Sequence, residues 1–122
     1  MVYQMEKKSG YYFGTEIEGK WWRPYMDNGF FVRGNGDYWI SDDGIYFLRK
    51  LTKQPIFISF HTVKDIKLGY AHAGKWVPGV KVLKIIWKRN EKLLSSGFIF
   101  GRKRSETLEV KQILDKKIAR YL

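Results

Sequence analysis

The chain has no cysteine in its 122 residues, which excludes disulfides, thiolate nucleophiles and zinc–sulfur sites. Proline is scarce: Pro24, Pro55 and Pro78 are the only three, and each reads as punctuation between elements. Long apolar runs are also missing. The most apolar stretch, Val82 to Trp87, is broken by Lys84 and is far too short to span a bilayer. The opening MVYQMEKKSG lacks the apolar core of a secretory signal, so a cytoplasmic protein is expected, with peripheral membrane association as the other location open to it.

Catalytic chemistry is equally thin. His61 and His72 are the only histidines, with no carboxylate at a ligand spacing, so no metal site is expected. Asp37, Asp42 and Asp43 cluster without a calcium-loop spacing, and turn chemistry accounts for them. Gly34-Asn35-Gly36 has no helix after it and is not a dinucleotide fingerprint; a P-loop and a nucleophile elbow are absent. The expectation is a protein with no catalytic residues and no cofactor.

What the chain does have is aromatic and basic. Hydrophobic residues make up 44% and aromatics 17%, enough for one globular domain with a single core. The net charge is +11 and unevenly placed. Residues 1–60 hold 8 Lys/Arg against 7 Asp/Glu, whereas residues 61–122 hold 15 against 5. Such asymmetry favours anionic partners; a merely solubilising surface is the alternative.

Short aromatic-rich segments come first and a helical one last. Within residues 1–29, set apart as a leader, Tyr11-Tyr12-Phe13 and Thr15-Glu16-Ile17 can be extended, and Trp21-Trp22 precedes a turn at Pro24. Phe30 to Arg33, a turn at Gly34-Asn35-Gly36, and Asp37 to Ser41 follow. Asp42-Asp43-Gly44 marks a hairpin between Tyr38-Trp39-Ile40 and Ile45-Tyr46-Phe47-Leu48. Pro55 to Phe60 is a further strand, His61 to Gly69 fits a strand edge or one helical turn, and Tyr70 to Gly79 reads as a long loop. Val80 to Trp87 and Leu93 to Phe100 are the last two strands; the first has no purely polar face, which predicts cover on both sides. Ser105 is a good N-cap for a helix whose Val110, Ile113, Leu114, Ile118, Tyr121 and Leu122 form one stripe, with Lys111, Lys116 and Arg120 opposite. The stripe predicts packing over the strands. The fold class is mainly β, a barrel or sandwich of about seven strands with one C-terminal capping helix, in a domain covering residues 30–122.

GDYWISDDGIYFL (residues 36–48), ISFHTVKDIKLG (58–69) and VLKIIWKRNEKLLSSGFIF (82–100), with the closing helix, carry a resemblance to the PH-like superfold and, within it, to GRAM and bacterial PH-type domains. The first segment looks like that family's hydrophobic hairpin, with Ser41 in its threonine position. The resemblance implies that three strand-connecting loops, here 33–36, 49–54 and 88–92, gather at one open end and contact an anion. Their cations are Arg33, Arg49, Lys50, Lys53, Lys88, Arg89 and Lys92, with only Glu91 in opposition. Phosphates need several charge-assisted donors converging on a small volume, so the grouping is chemically sensible. Arg33-Gly34-Asn35-Gly36-Asp37 departs from the basic run that phosphoinositide-binding members carry, which argues against stereospecific inositide recognition.

The resulting reading is a non-catalytic binding or targeting module that contacts an anionic lipid surface or an acidic protein. Single-stranded nucleic acid is the rival ligand, because Trp21-Trp22-Arg23 and Trp87-Lys88-Arg89 interleave stacking platforms with cations. A protein–protein scaffold without a lipid ligand is the third option.

Overall fold

The computed structural model describes residues 7–18, 20–25, 31–69, 71–72, 75–76, 82–101 and 104–121. Ten strands precede one helix: β1 (Lys8–Ile17), β2 (Lys20–Pro24), β3 (Gly34–Ile40), β4 (Gly44–Arg49), β5 (Ile56–Ser59), β6 (Val63–Gly69), β7 (Ala71–His72), β8 (Lys75–Trp76), β9 (Val82–Arg89), β10 (Lys92–Phe100) and α1 (Arg104–Ala119). Seven strands form an antiparallel sheet in the order β5-β4-β3-β1-β10-β9-β6, with β2 added beside the end of β1. The two edge strands, β5 and β6, are joined by only a three-residue 3-10 turn, Phe60–Thr62. A sheet whose opposite edges are tied so closely must curl, and it does so into a half-barrel around one core.

Alternation along the strands explains which side chains enter that core. On β10, Leu94, Phe98 and Phe100 point inward, and on β9 so do Leu83, Ile85 and Trp87. Phe98 stacks on Phe100 with ring centroids 5.2 Å apart, while Tyr12 and Phe47 close on Phe98 at 5.3 and 5.6 Å. The cover predicted on both faces of β9 is present, since Val82 and Ile86 on its outer face are buried as well.

Residues 8–17, within the stretch set apart as a leader, make β1, hydrogen-bonded to β3 on one side and β10 on the other. Its pairing with β10 slips between Tyr12 and Gly14, where Gly14 takes a φ of 101° that L side chains rarely adopt. The extra residue resets the alternation, so Tyr12 and Thr15, three apart, both face inward. They join a buried polar chain: the Tyr12 hydroxyl bonds Thr15 Oγ1, Thr15 Oγ1 lies 2.6 Å from Ser96 Oγ, and Trp87 Nε1–H donates to Ser96 Oγ at 2.9 Å.

Three local expectations are corrected. Residues 31–33 form no strand, and the expected turn at Gly34-Asn35-Gly36 is instead the start of β3, paired with Tyr12, Tyr11 and Gly10 of β1. The glycine at 36 serves close approach, since a Cβ there would collide with the Leu48 carbonyl oxygen of β4. The expected long loop at 70–79 holds the small β7–β8 hairpin. The Asp42-Asp43-Gly44 hairpin forms where expected, held by Ser41 N–H to Gly44 O at 2.9 Å and by the Ser41 hydroxyl on Asp43 Oδ1.

The helix begins at Arg104, one residue before Ser105, and the two preceding residues lie outside the described ones. It buries Thr107, Val110, Leu114 and Ile118, one stripe at helical spacing, with Ile113 packed at its margin. Its far end meets the β3–β4 hairpin: Lys117 Nζ lies 3.0 Å from Asp42 Oδ1, and the Tyr121 hydroxyl donates to Asp42 O at 3.2 Å. The Lys117 hydrogen bond and charge hold the Asp42 carboxyl below the usual carboxylate range. The helix therefore caps the end of the half-barrel where the β3–β4 hairpin lies, and the other end carries the cations.

Candidate anion-binding rim

Strand direction decides which connections share an end. Hairpin β3–β4 turns under the helix, so the opposite ends of these strands, Gly34 and Arg49, lie at the far rim. Ile17 of β1 pairs with Leu94 near the start of β10, which brings the β9–β10 turn and the β1–β2 turn to that same rim. Of the three expected loops, 49–54 lies there as a connection and 88–92 as the turn Asn90-Glu91 with the strand ends that flank it. The third is reduced to Arg33, next to Phe31 and Val32, because 34–36 is strand.

Tyr25 and Phe31 pack together at this end of the half-barrel. Phe31 is fully buried, with its ring 5.4 Å from Tyr25 and 6.1 Å from Trp87. The Arg89 guanidinium sits 5.3 Å over the Phe31 ring, and Lys92 Nζ is 5.7 Å from the Tyr25 ring. A cation over an aromatic face is worth about 0.5–1 kcal/mol where exposed and more where desolvated. Arg49 donates from Nη1 to the Val32 carbonyl at 2.8 Å, and its Nε is buried without a hydrogen-bond partner. Its charge reaches inward to Tyr12, whose phenol burial holds well above its usual range. The Arg33 side chain lies over Gly14.

The seven cations named from sequence thus fall into two groups at one end of the molecule. Arg49 and Arg89 are partly buried, Arg49 on the Val32 carbonyl and Arg89 over the Phe31 ring. Arg33, Lys50, Lys53, Lys88 and Lys92 are exposed, and no described carboxylate forms a salt bridge with Lys50, Lys53 or Lys88. Glu18, near this rim, is 3.4 Å from Lys67. The turn itself is tight: Asn90 and Glu91 have φ of 49° and 65°, the pattern of a two-residue I′ hairpin, with Arg89 paired to Lys92.

Sequence reasoning missed the buried Phe31. Phe30-Phe31-Val32 reads as a strand, and nothing local distinguishes an inward aromatic on a connection from one on a strand. Trp87, which the rival nucleic-acid reading offered as a stacking platform, is buried, and its N–H is used by Ser96. The side chains of Trp21, Trp22 and Arg23 lie outside the described residues. The metal candidates show ordinary turn roles: Asp42 pairs with Lys117, Asp43 bonds Ser41, and His61 is exposed on the 3-10 turn. Among the described residues no helix is long and apolar enough to cross a membrane.

The comparisons with known proteins bear on the whole fold. No curated protein matches the chain. Among solved structures, the C-terminal domain of an unknown protein from Leishmania infantum is similar, at 12% identity and a TM-score of 0.52, over 96% of this chain and 85% of that one. That is a likeness of fold. Residues 3–114 match the bacterial PH domain-like family, a span that includes β1 through β10 and most of the helix. PH-like domains are in general non-catalytic binding modules. With the sheet order, the capping helix and this match in agreement, the chain belongs to the bacterial PH domain-like family.

Proposed function

We propose that this domain is a targeting module whose basic end, opposite the helix, contacts anionic membrane lipid or an acidic protein segment. The observation that carries the reading is convergence: cations from three separate stretches of chain emerge at one end, around the buried Phe31. With Phe31 buried at this end and Lys50, Lys53, Lys88 and Lys92 exposed, contact is made by the face of the rim. Each exposed lysine near an anionic bilayer contributes about 1 kcal/mol, so Lys50, Lys53, Lys88 and Lys92 supply roughly 4 kcal/mol at low ionic strength. Salt screens this over about 10 Å at 0.1 M. A peripheral membrane location, reached from the cytoplasm, follows from this reading.

Vesicle co-sedimentation with anionic and neutral lipid, at low and physiological salt, tests it. A variant with those four lysines changed to glutamine is expected to bind anionic vesicles far more weakly; equal binding would remove the assignment. Arg49 and Arg89 are left in place because they are committed to the Val32 carbonyl and the Phe31 ring. A second reading rests on the outer face of β3–β4–β5, where Trp39 stacks on Tyr46 at 5.2 Å, Tyr46 meets Phe57 at 4.5 Å and Lys7 Nζ lies 4.9 Å over Trp39. Such a row suits stacked bases. Absence of single-stranded oligonucleotide binding at low salt would dispose of it.

A further inference from the structure

Six large apolar side chains stand in solvent among the described residues: Val32, Leu51, Phe57, Leu93, Leu108 and Tyr121. Three of these lie at the basic rim: Val32 just before β3, Leu51 on the β4–β5 loop and Leu93 at the start of β10. Each is the chain neighbour of an exposed cation, giving the dyads Val32-Arg33, Lys50-Leu51 and Lys92-Leu93. Leu51 is the extreme case. Its relative exposure is 105%, at the tip of the β4–β5 loop, on a backbone with φ of 65° that aims a leucine outward at a conformational cost. The other two tips are pinned: Val32 O accepts from Arg49 at 2.8 Å, and Leu93 O accepts from the Glu18 N–H at 3.0 Å.

We propose that Val32, Leu51 and Leu93 insert into the headgroup–acyl boundary of an anionic phospholipid bilayer while Arg33, Lys50 and Lys92 engage its phosphates. This rests on the rim reading above and selects its lipid form. Apolar side chains spread among cations at this rim do not make the contiguous patch that a folded protein partner buries, whereas a soft bilayer accepts each one separately. The charge complements an anionic leaflet, and an interfacial depth of about 5–10 Å is within reach of single side chains and loop tips. Basic contact alone would be lost in salt; inserted side chains give a component that salt does not remove.

The test uses the absence of cysteine, which makes Leu51→Cys the only thiol in the chain, labelled with an environment-sensitive dye. With vesicles of phosphatidylcholine and phosphatidylserine, the dye at position 51 is expected to shift to the blue. The same dye on a Leu108→Cys chain, on the helix at the opposite end, is expected not to move. The triple variant Val32→Ser, Leu51→Ser, Leu93→Ser should bind these vesicles at least about tenfold more weakly, the size set by removing even one buried leucine from the apolar phase. Its residual binding should vanish at 0.5 M salt, where the wild type keeps some. Wild-type binding with no shift at position 51 and an unaffected triple variant would overturn insertion and leave electrostatic rim contact standing. Binding of an acidic peptide but not of vesicles would also overturn it. No wild-type binding to either would sink the rim reading itself.

Discussion

Thr107 gives the sharpest test of how the helix is fastened. Gly101 N–H donates to Ser9 O at 3.0 Å, which fixes the phase of the β1–β10 ladder: the N–H and C=O of Phe100 point away from β1. They point toward the β9 side, past the last described β9–β10 pair, Phe98 with Leu83. There the Thr107 hydroxyl accepts from Phe100 N–H at 3.1 Å and donates to Phe100 O at 3.2 Å, with Thr107 only 1% exposed. One side chain on the helix thus does for Phe100 what a strand partner does, serving both its backbone groups. Thr107→Val keeps the shape and removes both bonds. Leaving two buried backbone groups unsatisfied costs about 1–3 kcal/mol each, and the added methyl returns about 0.8 kcal/mol. The net expectation is a loss of roughly 3 kcal/mol, a large share of the total for a domain this size. Thr107→Ser keeps the hydroxyl and should lose only about 1 kcal/mol. Urea denaturation with a common m-value compares the three chains, and the Tm of the valine variant should fall by roughly 10 °C. Amide exchange at Phe100 should accelerate selectively in the valine variant. A valine chain within 0.5 kcal/mol of wild type, or a serine chain less stable than the valine one, would refute the surrogate-strand argument.

Further expectations concern the turn, the first strand and the tyrosines. Glu91 holds a φ of 65° in the I′ turn, where glycine is preferred, so Glu91→Gly should stabilise the domain by about 0.5–1 kcal/mol in the same urea assay. A chain starting at residue 30 lacks β1, the strand between β3 and β10, and should show no cooperative thermal transition; a sharp melt would mean the halves of the sheet can pair without it. Burial, reinforced by Glu106 and Glu109, pushes the Tyr38 phenol from 10.0 up to about 12, so the neutral form is favoured in the folded state. Its contribution is intact below pH 10 and lost as pH rises from 10 toward 12. Tyr38→Phe should flatten that part of the stability–pH curve, read by urea midpoints across it, and an unchanged alkaline slope would show that Tyr38 is not its source.

What was legible in the sequence was whatever depends on period and turn chemistry. The helix stripe from Val110 to Ile118 and the Asp42-Asp43-Gly44 hairpin are local signals, and each forms where its spacing places it. What was hidden depends on partners distant in the chain. Gly34-Asn35-Gly36 looks like a turn because glycine is usually read for its φ, yet at Gly36 the constraint is the carbonyl of Leu48 on the next strand. Tyr11 to Ile17 reads as weakly extended because Gly14 breaks the alternation, but that break lets both Tyr12 and Thr15 face the core. The rim shows the same division. Its cations can be counted in sequence, but their availability cannot. Arg49 and Arg89 look equivalent to Lys50 and Lys88, and only the fold commits the arginines to Val32 and Phe31 and leaves the lysines in solvent. The planar guanidinium explains the sorting, since it can stack on a ring and bond a carbonyl while partly desolvated, at a lower cost than an ammonium. Arginine therefore packs against Val32 and Phe31, and lysine is left in solvent. Exchanging the two types, with Arg49 and Arg89 to lysine and Lys50 and Lys88 to arginine, keeps the net charge and should lower stability while leaving vesicle affinity nearly intact. Loss of vesicle affinity with stability preserved would show that the arginines belong to the binding face after all.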